Sequence, residues 1–325
     1  MASWALGSPI DVTTSLSPSL VFNNLSTKGT LVAYARQSDT IVVDVAADET
    51  QPRVRKLPIN STPYKIFQCV VLEIHNIPTA VVISTNGAEF WGLVDGTSRL
   101  ISVVGLKDVM DSGNSGMPFM RGAAVVDATQ DVCVGCSNGD IAVFQMAANS
   151  NARLQRTVKC HEAPISTMTG GGDLVASGDD EGQVCLWNAQ FDQQAIFPGE
   201  GLPCTCLGMH NDADALVAGF AHGVLRIVQL STREVTVEVA AHSRCIMALD
   251  IHPTQPIFTT VSEDTYMKVW GLPDSEDKSA SEVALIYEER VEDRFLTGVQ
   301  FTRDGSERIL AAAYDSKELL VWDRA

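Results

Sequence analysis

The chain has 325 residues, of which 45% are hydrophobic and 19% charged, so it can bury a sizeable core and does not belong to the disordered class. Its formal net charge of -17 repels phosphate backbones, which disfavours nucleic acids and anionic membranes as partners. The same charge would attract a basic peptide or a basic protein surface, although an acidic surface can also serve only solubility.

The start of the chain and the cysteines indicate a reducing, aqueous compartment. The segment MASWALGSPID lacks a basic region followed by a long apolar stretch, and no later run approaches the roughly 18 apolar residues that span a membrane. Most of the eight cysteines fall in apolar, strand-like runs, as buried free thiols do. We therefore expect no transmembrane segment and a cytoplasmic location.

A hairpin pattern recurs along the chain. Each copy is an apolar run, a tight polar turn and an alternating run, which is the signature of a β-hairpin. The seven copies begin at Leu31, Thr79, Asp131, Asp173, Asp214, Pro256 and Arg308. Their turns lie about 40 to 50 residues apart, the period of a four-stranded propeller blade, and long amphipathic helical stretches are missing. The sequence predicts an all-β fold, a single seven-bladed β-propeller domain over residues 1–325.

An N-terminal strand is expected to close the ring. The last hairpin ends at Trp322 and Asp323, so the seventh blade lacks its outermost strand. Open strand edges favour aggregation, and repeat rings usually avoid them by letting one terminus complete the last blade. We predict that the strand from Ile10 to Leu16 pairs beside Leu319 to Trp322.

The sixth repeat resembles the WD-repeat family. That family places a histidine before the first strand, a hydroxyl on the second, an aspartate at the tight turn and a tryptophan on the third. His242, Thr260, Asp264 and Trp270 match this pattern in full. The resemblance implies a buried relay in which imidazole, hydroxyl, carboxylate and indole satisfy one another, the condition for burying such groups.

The fourth repeat matches the same pattern with one departure. The residues are His161, Ser177, Trp187 and, at the turn position, Glu181 in place of aspartate. The resemblance implies that Glu181 accepts the histidine proton. Other repeats depart further: Val228 replaces tryptophan in the fifth, and Ser316 stands at the turn position of the seventh.

Three stretches resemble a single branch of the WD-repeat family: NNLS at 23–26, GLPC at 201–204, and AHSRCIMALD through SEDTYMKVW at 241–270. The similarity runs nearly end to end and is strongest from about residue 160 to 270. It implies an interaction scaffold without catalysis, although fold alone does not fix function.

No residue pattern indicates an enzyme, a cofactor or a metal. Cys133 and Cys136 have CxxC spacing, but residues three apart on a strand point to opposite faces, and no second CxxC follows. The glycine-rich TGGGD at 169–173 has no helix after it to form a phosphate loop. We predict no catalytic residue, no cofactor and no metal ligand. The redox roles of Cys133, Cys136, Cys160, Cys204 and Cys206 stay open.

Two loops are longer than a hairpin needs. The acidic segment at about 271–282 is either a docking loop or a solvated insertion. The segment at 107–122 contains Met117, Phe119 and Met120 among glycines, and these apolar residues either form a binding patch or plug the ring.

The candidate partner-binding residues follow from their places in the repeats. Glu263 and Asp180 each neighbour a turn carboxylate, while Arg244 and Glu162 closely follow the relay histidines. We expect a scaffold or adaptor for protein-protein interactions, a subunit of a larger complex or a self-associating protein, in a cytoskeletal, ciliary or trafficking assembly. The alternative is a reader that captures a basic peptide in an acidic channel mouth.

Overall fold

The computed structural model describes residues 4–12, 18–45, 52–57, 65–110, 118–146, 151–273 and 283–324. This part of the chain forms twenty-nine β-strands and one 3₁₀ turn at Leu106–Asp108, with no α-helix. It therefore holds no helix that is long and apolar enough to cross a membrane. The predicted all-β fold is confirmed.

The strands of the first half of the chain are β1 (Trp4–Leu6), β2 (Ile10–Asp11), β3 (Ser26–Lys28), β4 (Leu31–Arg36), β5 (Asp39–Asp44), β6 (Arg53–Lys56), β7 (Ile66–Ile74), β8 (Ile77–Ser84), β9 (Gly87–Val94), β10 (Thr97–Gly105), β11 (Met120–Val126), β12 (Asp131–Cys136), β13 (Asp140–Met146) and β14 (Ala152–Lys159). Those of the second half are β15 (Ile165–Gly171), β16 (Leu174–Asp179), β17 (Val184–Asn188), β18 (Gln193–Phe197), β19 (Cys204–His210), β20 (Ala215–Phe220), β21 (Val224–Gln229), β22 (Glu234–Ala240), β23 (Ile246–Ile251), β24 (Ile257–Ser262), β25 (Tyr266–Gly271), β26 (Ala284–Arg290), β27 (Leu296–Phe301), β28 (Arg308–Ala313) and β29 (Glu318–Arg324).

These strands form seven sheets, the seven blades of a β-propeller. Six sheets take four consecutive strands each, from β3–β6 to β23–β26, and the seventh combines β27–β29 with β1 and β2. Burial follows strand order within a blade: β23 is buried along its whole length, whereas β26 is exposed at most positions. The seven predicted hairpins are the second and third strands of the seven sheets, so the propeller prediction is confirmed.

The N-terminal chain completes the seventh sheet, as the sequence predicts. Ile10 pairs with Leu319 and Asp11 with Glu318, and Leu6 pairs with Trp322. The Gly7 N–H donates to the Val321 carbonyl at 2.8 Å between these two stretches.

The predicted bounds of this strand are wrong. In an antiparallel pair, residues after Ile10 run towards lower partner numbers, so Val321 and Trp322 must be matched by residues that precede Ile10. The structure places Leu6 opposite Trp322, and Gly7 forms the hydrogen bond to Val321. Of the predicted range 10–16, residues 13–16 lie outside the described residues.

The described residues group into two compact units. One has residues 1–32, 43–54 and 205–325 as its bounds, and the other has 33–42 and 55–204. In the first unit, Trp4, Phe301 and Trp322 share one apolar core with strands β23–β29. In the second, Phe90, Met120 and Phe144 belong to one core and Trp187 to another. The prediction of one domain over residues 1–325 stays a prediction.

The structure describes the two long loops in part. Strand β25 ends at Gly271, and residues 274–282 of the acidic segment lie outside the described residues. Met117 lies outside them as well. Met120 is fully buried in the core, whereas Phe119 is half-buried beside another aromatic ring.

Candidate protein-interaction site

The sixth sheet contains a hydrogen-bonded relay of four side chains. The Trp270 indole N–H donates to Thr260 Oγ1 at 2.9 Å, and Thr260 Oγ1 lies 2.8 Å from His242 Nε2. His242 Nδ1 lies 3.0 and 3.1 Å from the two carboxylate oxygens of Asp264. The imidazole is fully buried, so these contacts replace the water that it would otherwise bind.

One assignment of protons satisfies all four groups. The Thr260 hydroxyl accepts from the indole and donates to Nε2, and the Nδ1–H of His242 donates to Asp264. Burial alone would raise the pKa of Asp264, but the His242 contact and the backbone N–H groups of Tyr266 and Ser243 lower it to about 2. The ionised carboxylate thus stabilises the fold above the unfolded-state pKa of about 4, and this contribution is lost as the pH falls through about 2.

The fourth sheet has a matching relay with a different carboxylate. The Trp187 indole donates to Ser177 Oγ at 3.0 Å, and Ser177 Oγ lies 2.8 Å from His161 Nε2. His161 Nδ1 lies 2.8 Å from Asp179 Oδ2, whereas the Glu181 side chain is exposed. The expectation that Glu181 pairs with His161 is therefore corrected to Asp179.

The strand geometry explains this correction. Ser177 and Asp179 are two residues apart on β16, so both side chains point to the face where the imidazole lies. The other oxygen of Asp179 accepts from the backbone N–H groups of Glu181 and Gln183 at 3.0 and 2.8 Å, which fixes the turn. The two-residue spacing from the hydroxyl to the acid is the sequence signal that could have identified Asp179.

A glycine turn of the preceding sheet binds the backbone of each relay histidine. The His161 N–H donates to the Gly139 carbonyl and the His242 N–H to the Gly223 carbonyl, both at 3.0 Å. Both glycines have positive φ, and a Cβ on either would lie within about 2 Å of the histidine carbonyl oxygen. The Asn-Gly and His-Gly turns therefore position the relays as well as ending their own strands.

The fifth and seventh sheets depart from the pattern as the sequence indicates. Val228 is buried in the place of a relay tryptophan. Trp322 is fully buried, and its indole donates to Glu289 Oε2 on β26 at 2.7 Å rather than to a hydroxyl. Ser316 holds its own turn by accepting the Glu318 N–H at 3.2 Å. Glu289 is a relay partner that sequence reasoning missed, because it comes from the neighbouring sheet.

Five side chains of the second unit form what we term the cation-aromatic ladder: Lys65, Phe67, Phe119, Arg121 and Asp180. The Lys65 ammonium lies 5.1 Å from the centre of the Phe67 ring, and the rings of Phe67 and Phe119 are 4.8 Å apart. The Arg121 guanidinium lies 5.6 Å from the Phe119 ring and forms an ion pair with Asp180. Both aromatic rings are half-buried, so part of each remains available to a partner.

The four predicted partner-binding residues occupy different settings. Asp180 belongs to the ladder, where Arg121 already neutralises it. Glu162 is exposed just after the relay histidine of the fourth sheet. In the first unit, Glu263 is half-buried directly before the relay carboxylate Asp264, and Arg244 is exposed two residues after the relay histidine His242. The structure therefore groups Asp180 with residues that the sequence did not single out, namely Lys65, Phe67 and Arg121.

The cysteines have the environment of structural thiols. Cys133 and Cys136 are both buried but contribute to different apolar cores, as their opposite directions on β12 require. Within the described ranges, no three His, Cys, Asp or Glu side chains come close enough to hold a metal ion. Burial raises the pKa of Cys69, Cys133 and Cys206 to about 12.

We expect these thiols to resist modification while the protein is folded. A thiol with a pKa near 12 is almost entirely protonated at pH 8, and the thiolate is the reactive form. Reaction with a chromogenic disulfide should be slow in buffer and should reach all eight cysteines in guanidinium chloride. Rapid native labelling of Cys133 or Cys206 would contradict this assignment, whereas the half-buried Cys160 and Cys245 should react first.

The fold and the relays together define a WD-repeat β-propeller, a class that generally serves as a non-catalytic platform for protein interactions. The WDR54 family model matches residues 86–323. The chain belongs to the WDR54 family, which confirms the branch that the sequence stretches indicate. The match begins at Asn86, so the stretch at 23–26 lies outside it. The family similarity therefore covers residues 86–323 rather than nearly the whole chain, as the sequence predicted.

Several known proteins are similar to this chain. WD repeat-containing protein 54 of Mus musculus is 28% identical over 223 residues, which cover 65% of this chain and 66% of that protein, and the Homo sapiens protein gives the same values. The match thus spans just under two thirds of the length of these relatives. The 77 kDa echinoderm microtubule-associated protein of Strongylocentrotus purpuratus is 24% identical over 203 residues, covering 58% of this chain and 27% of that protein.

A solved structure shows the same fold. One chain of the crystal structure of the Mitotic Checkpoint Complex matches with a TM-score of 0.75 and 16% identity. The match covers 100% of this chain and 93% of that chain. At this identity, the similarity concerns the propeller fold alone.

Proposed function

We propose that this protein is a non-catalytic scaffold or adaptor whose second unit docks a partner protein on the cation-aromatic ladder. The observation that carries this proposal is the ladder itself: two partly exposed phenylalanine rings lie in contact between two cations. Aromatic and arginine side chains dominate the energetics of protein interfaces. The relays support this role because they hold the sheets rigid.

Rigid positioning of Arg121 distinguishes the ladder from an ordinary solvated surface. Its Nε–H donates to the Ile165 carbonyl at 3.2 Å, while its terminal nitrogen is paired with Asp180. A partner therefore meets a preorganised guanidinium and two fixed rings, and loses little side-chain entropy on binding. The ladder thus provides both apolar contact area and directed polar groups.

The alternative function, capture of a basic peptide by Asp180 and Glu263, has weaker support. A basic peptide at Asp180 would have to displace Arg121 from its carboxylate. Glu263 remains half-buried, with its backbone N–H donating to the Cys245 carbonyl at 3.0 Å. This hypothesis predicts that Glu263→Ala abolishes binding of one basic peptide, whereas the ladder proposal predicts no effect of that substitution.

The setting that we propose is a cytoplasmic assembly of several proteins, with the cytoskeleton as the first place to test. Support comes from the similarity to the 77 kDa echinoderm microtubule-associated protein, which covers 58% of this chain. Because the net charge is -17, partners with basic surfaces are favoured over nucleic acids.

Affinity purification from cells with quantitative mass spectrometry tests the ladder. We expect Lys65→Glu/Phe119→Ser to lose at least about fivefold of one or more bound proteins, because the substitutions remove an aromatic contact and reverse one cation. The matched control is Lys107→Glu/Val103→Ser, which makes the same charge reversal and replaces an apolar side chain by serine at exposed positions of the same unit. Equal recovery of every bound protein by both variants, at equal melting temperature, would contradict the proposal.

A further inference from the structure

The outermost strand of the third sheet exposes three cations. Strand β14 exposes Arg153, Arg156 and Lys159 and contains no acidic residue. The whole chain has 40 acidic and only 23 basic residues, so this segment runs against the average charge of the protein. Such a local reversal of sign can attract a partner of the opposite charge.

A β-bulge brings two of these cations to the same face. Residues three apart on a regular strand point to opposite faces. Here Arg153 is opposite Gln145 and Arg156 is opposite Val143, because the pairing shifts by one residue between them. Gln145 and Val143 are two apart on β13 and share a face, so Arg153 and Arg156 share that face as well.

No residue that the structure describes neutralises this pair of arginines. In the part of the chain that the structure describes, neither Arg153 nor Arg156 forms an ion pair or a side-chain hydrogen bond. The Arg156 guanidinium lies 5.3 Å from the centre of the Phe191 ring, which holds it in place without cancelling its charge. The nearby Asp192 carboxylate accepts from Asn188 Nδ2 at 3.0 Å. Lys159, in contrast, is opposite Asp140.

Strand β14 also offers a free backbone edge. It pairs with β13 on one side, and its other edge forms no backbone hydrogen bond to any residue in the described ranges. Such an edge can accept an extended peptide as an additional strand. Alternate side chains of an added strand lie about 7 Å apart on one face, a spacing that two neighbouring arginines can reach.

We propose that β14 is a docking edge for an extended acidic segment of a partner protein. The segment adds a strand to the third sheet and places carboxylates of alternate residues against Arg153 and Arg156. Arginine suits this role because its planar guanidinium binds a carboxylate through two hydrogen bonds. The net charge of -17 favours a short acidic peptide over a long nucleic acid, which would meet acidic surface beyond β14. This edge shares no residue with the cation-aromatic ladder and does not depend on it.

Fluorescence anisotropy with the full chain tests the charge contribution. The probe is a labelled peptide of about 12 residues in which threonine and glutamate alternate, a pattern that favours an extended strand. We expect Arg153→Glu/Arg156→Glu to weaken binding at least about tenfold. The control Arg53→Glu/Lys317→Glu makes the same charge change at two other exposed positions, and its affinity should stay within about twofold of the unsubstituted protein.

Two further probes test strand addition and the class of partner. The same peptide with an N-methyl group on every residue has no backbone N–H to donate and carries methyl groups along both edges, so it cannot add as a strand and its binding should be lost. Equal binding of the methylated peptide, equal affinity of the Arg153→Glu/Arg156→Glu variant, or tighter binding of an oligodeoxythymidine of equal charge would each overturn the proposal. If the Arg153→Glu/Arg156→Glu variant binds with equal affinity, the arginines serve only to keep an open edge from pairing with other chains.

Discussion

Replacement of Asp179 by alanine is expected to lower the free energy of unfolding by about 3 kcal/mol, whereas Glu181→Ala should change it by less than about 0.5 kcal/mol. Asp179 is buried and accepts hydrogen bonds from His161 and from two backbone N–H groups of the turn. Its removal leaves these donors without an acceptor. The exposed Glu181 carboxylate accepts none of them.

Urea unfolding followed by tryptophan fluorescence measures both variants, since the Trp187 indole belongs to the same relay. Asp264→Ala provides the matched measurement in the sixth sheet and should resemble Asp179→Ala. Asp179→Asn should lie between the alanine variant and the unsubstituted protein, because an amide oxygen can still accept from His161. A larger effect of Glu181→Ala than of Asp179→Ala would restore the family's usual spacing and contradict the structure.

Trp4→Ala is expected to cost about 3 kcal/mol of stability, the usual loss for a buried aromatic side chain. Trp4 is almost fully buried in the core of the first unit, with its ring 6.0 Å from that of Phe301 and the Arg324 guanidinium above it. Its strand pairs with the last strand of the seventh sheet, so the same substitution should also loosen the N-terminal pairing.

Leu6→Ala is the matched control on the same strand. Leu6 is 51% exposed and loses little buried area, so we expect a change of less than about 1 kcal/mol. Hydrogen exchange of the Val321 to Arg324 amides should rise in Trp4→Ala and stay close to that of the unsubstituted protein in Leu6→Ala. Equal stability of the two variants would show that Trp4 is not part of the core.

The sequence was most informative about the parts of the fold that depend on local residue patterns. Seven hairpins and the relay of the sixth sheet could be predicted because turn residues and strand alternation act over a few positions. The sequence did not identify Asp179 as the partner of His161, because the acidic run at 179–181 offers three carboxylates and the family spacing selects Glu181. The bounds of the closing strand failed because pairing direction, rather than composition, decides which residues face Trp322.

The surfaces proposed for binding could not be predicted in the same way. Lys65, Phe67, Phe119 and Arg121 lie before or within the first strands of two different sheets, and only folding brings their side chains together. The pair on β14 depends on a bulge, which inverts the alternation that sequence reasoning assumes. Asp180 was predicted to be available to a partner because the sequence does not reveal its ion pair with Arg121.

Hydrogen exchange on the native complex purified from cells tests the central proposal most directly. We expect partner binding to slow exchange of the amides at 65–67, 119–121 and 180, while the relay strand at 257–262 exchanges at the same rate with and without the partner. This result would place the partner on the cation-aromatic ladder and leave the relays as architecture. Unchanged exchange at all ladder positions in a complex that is otherwise protected would contradict the proposed docking site.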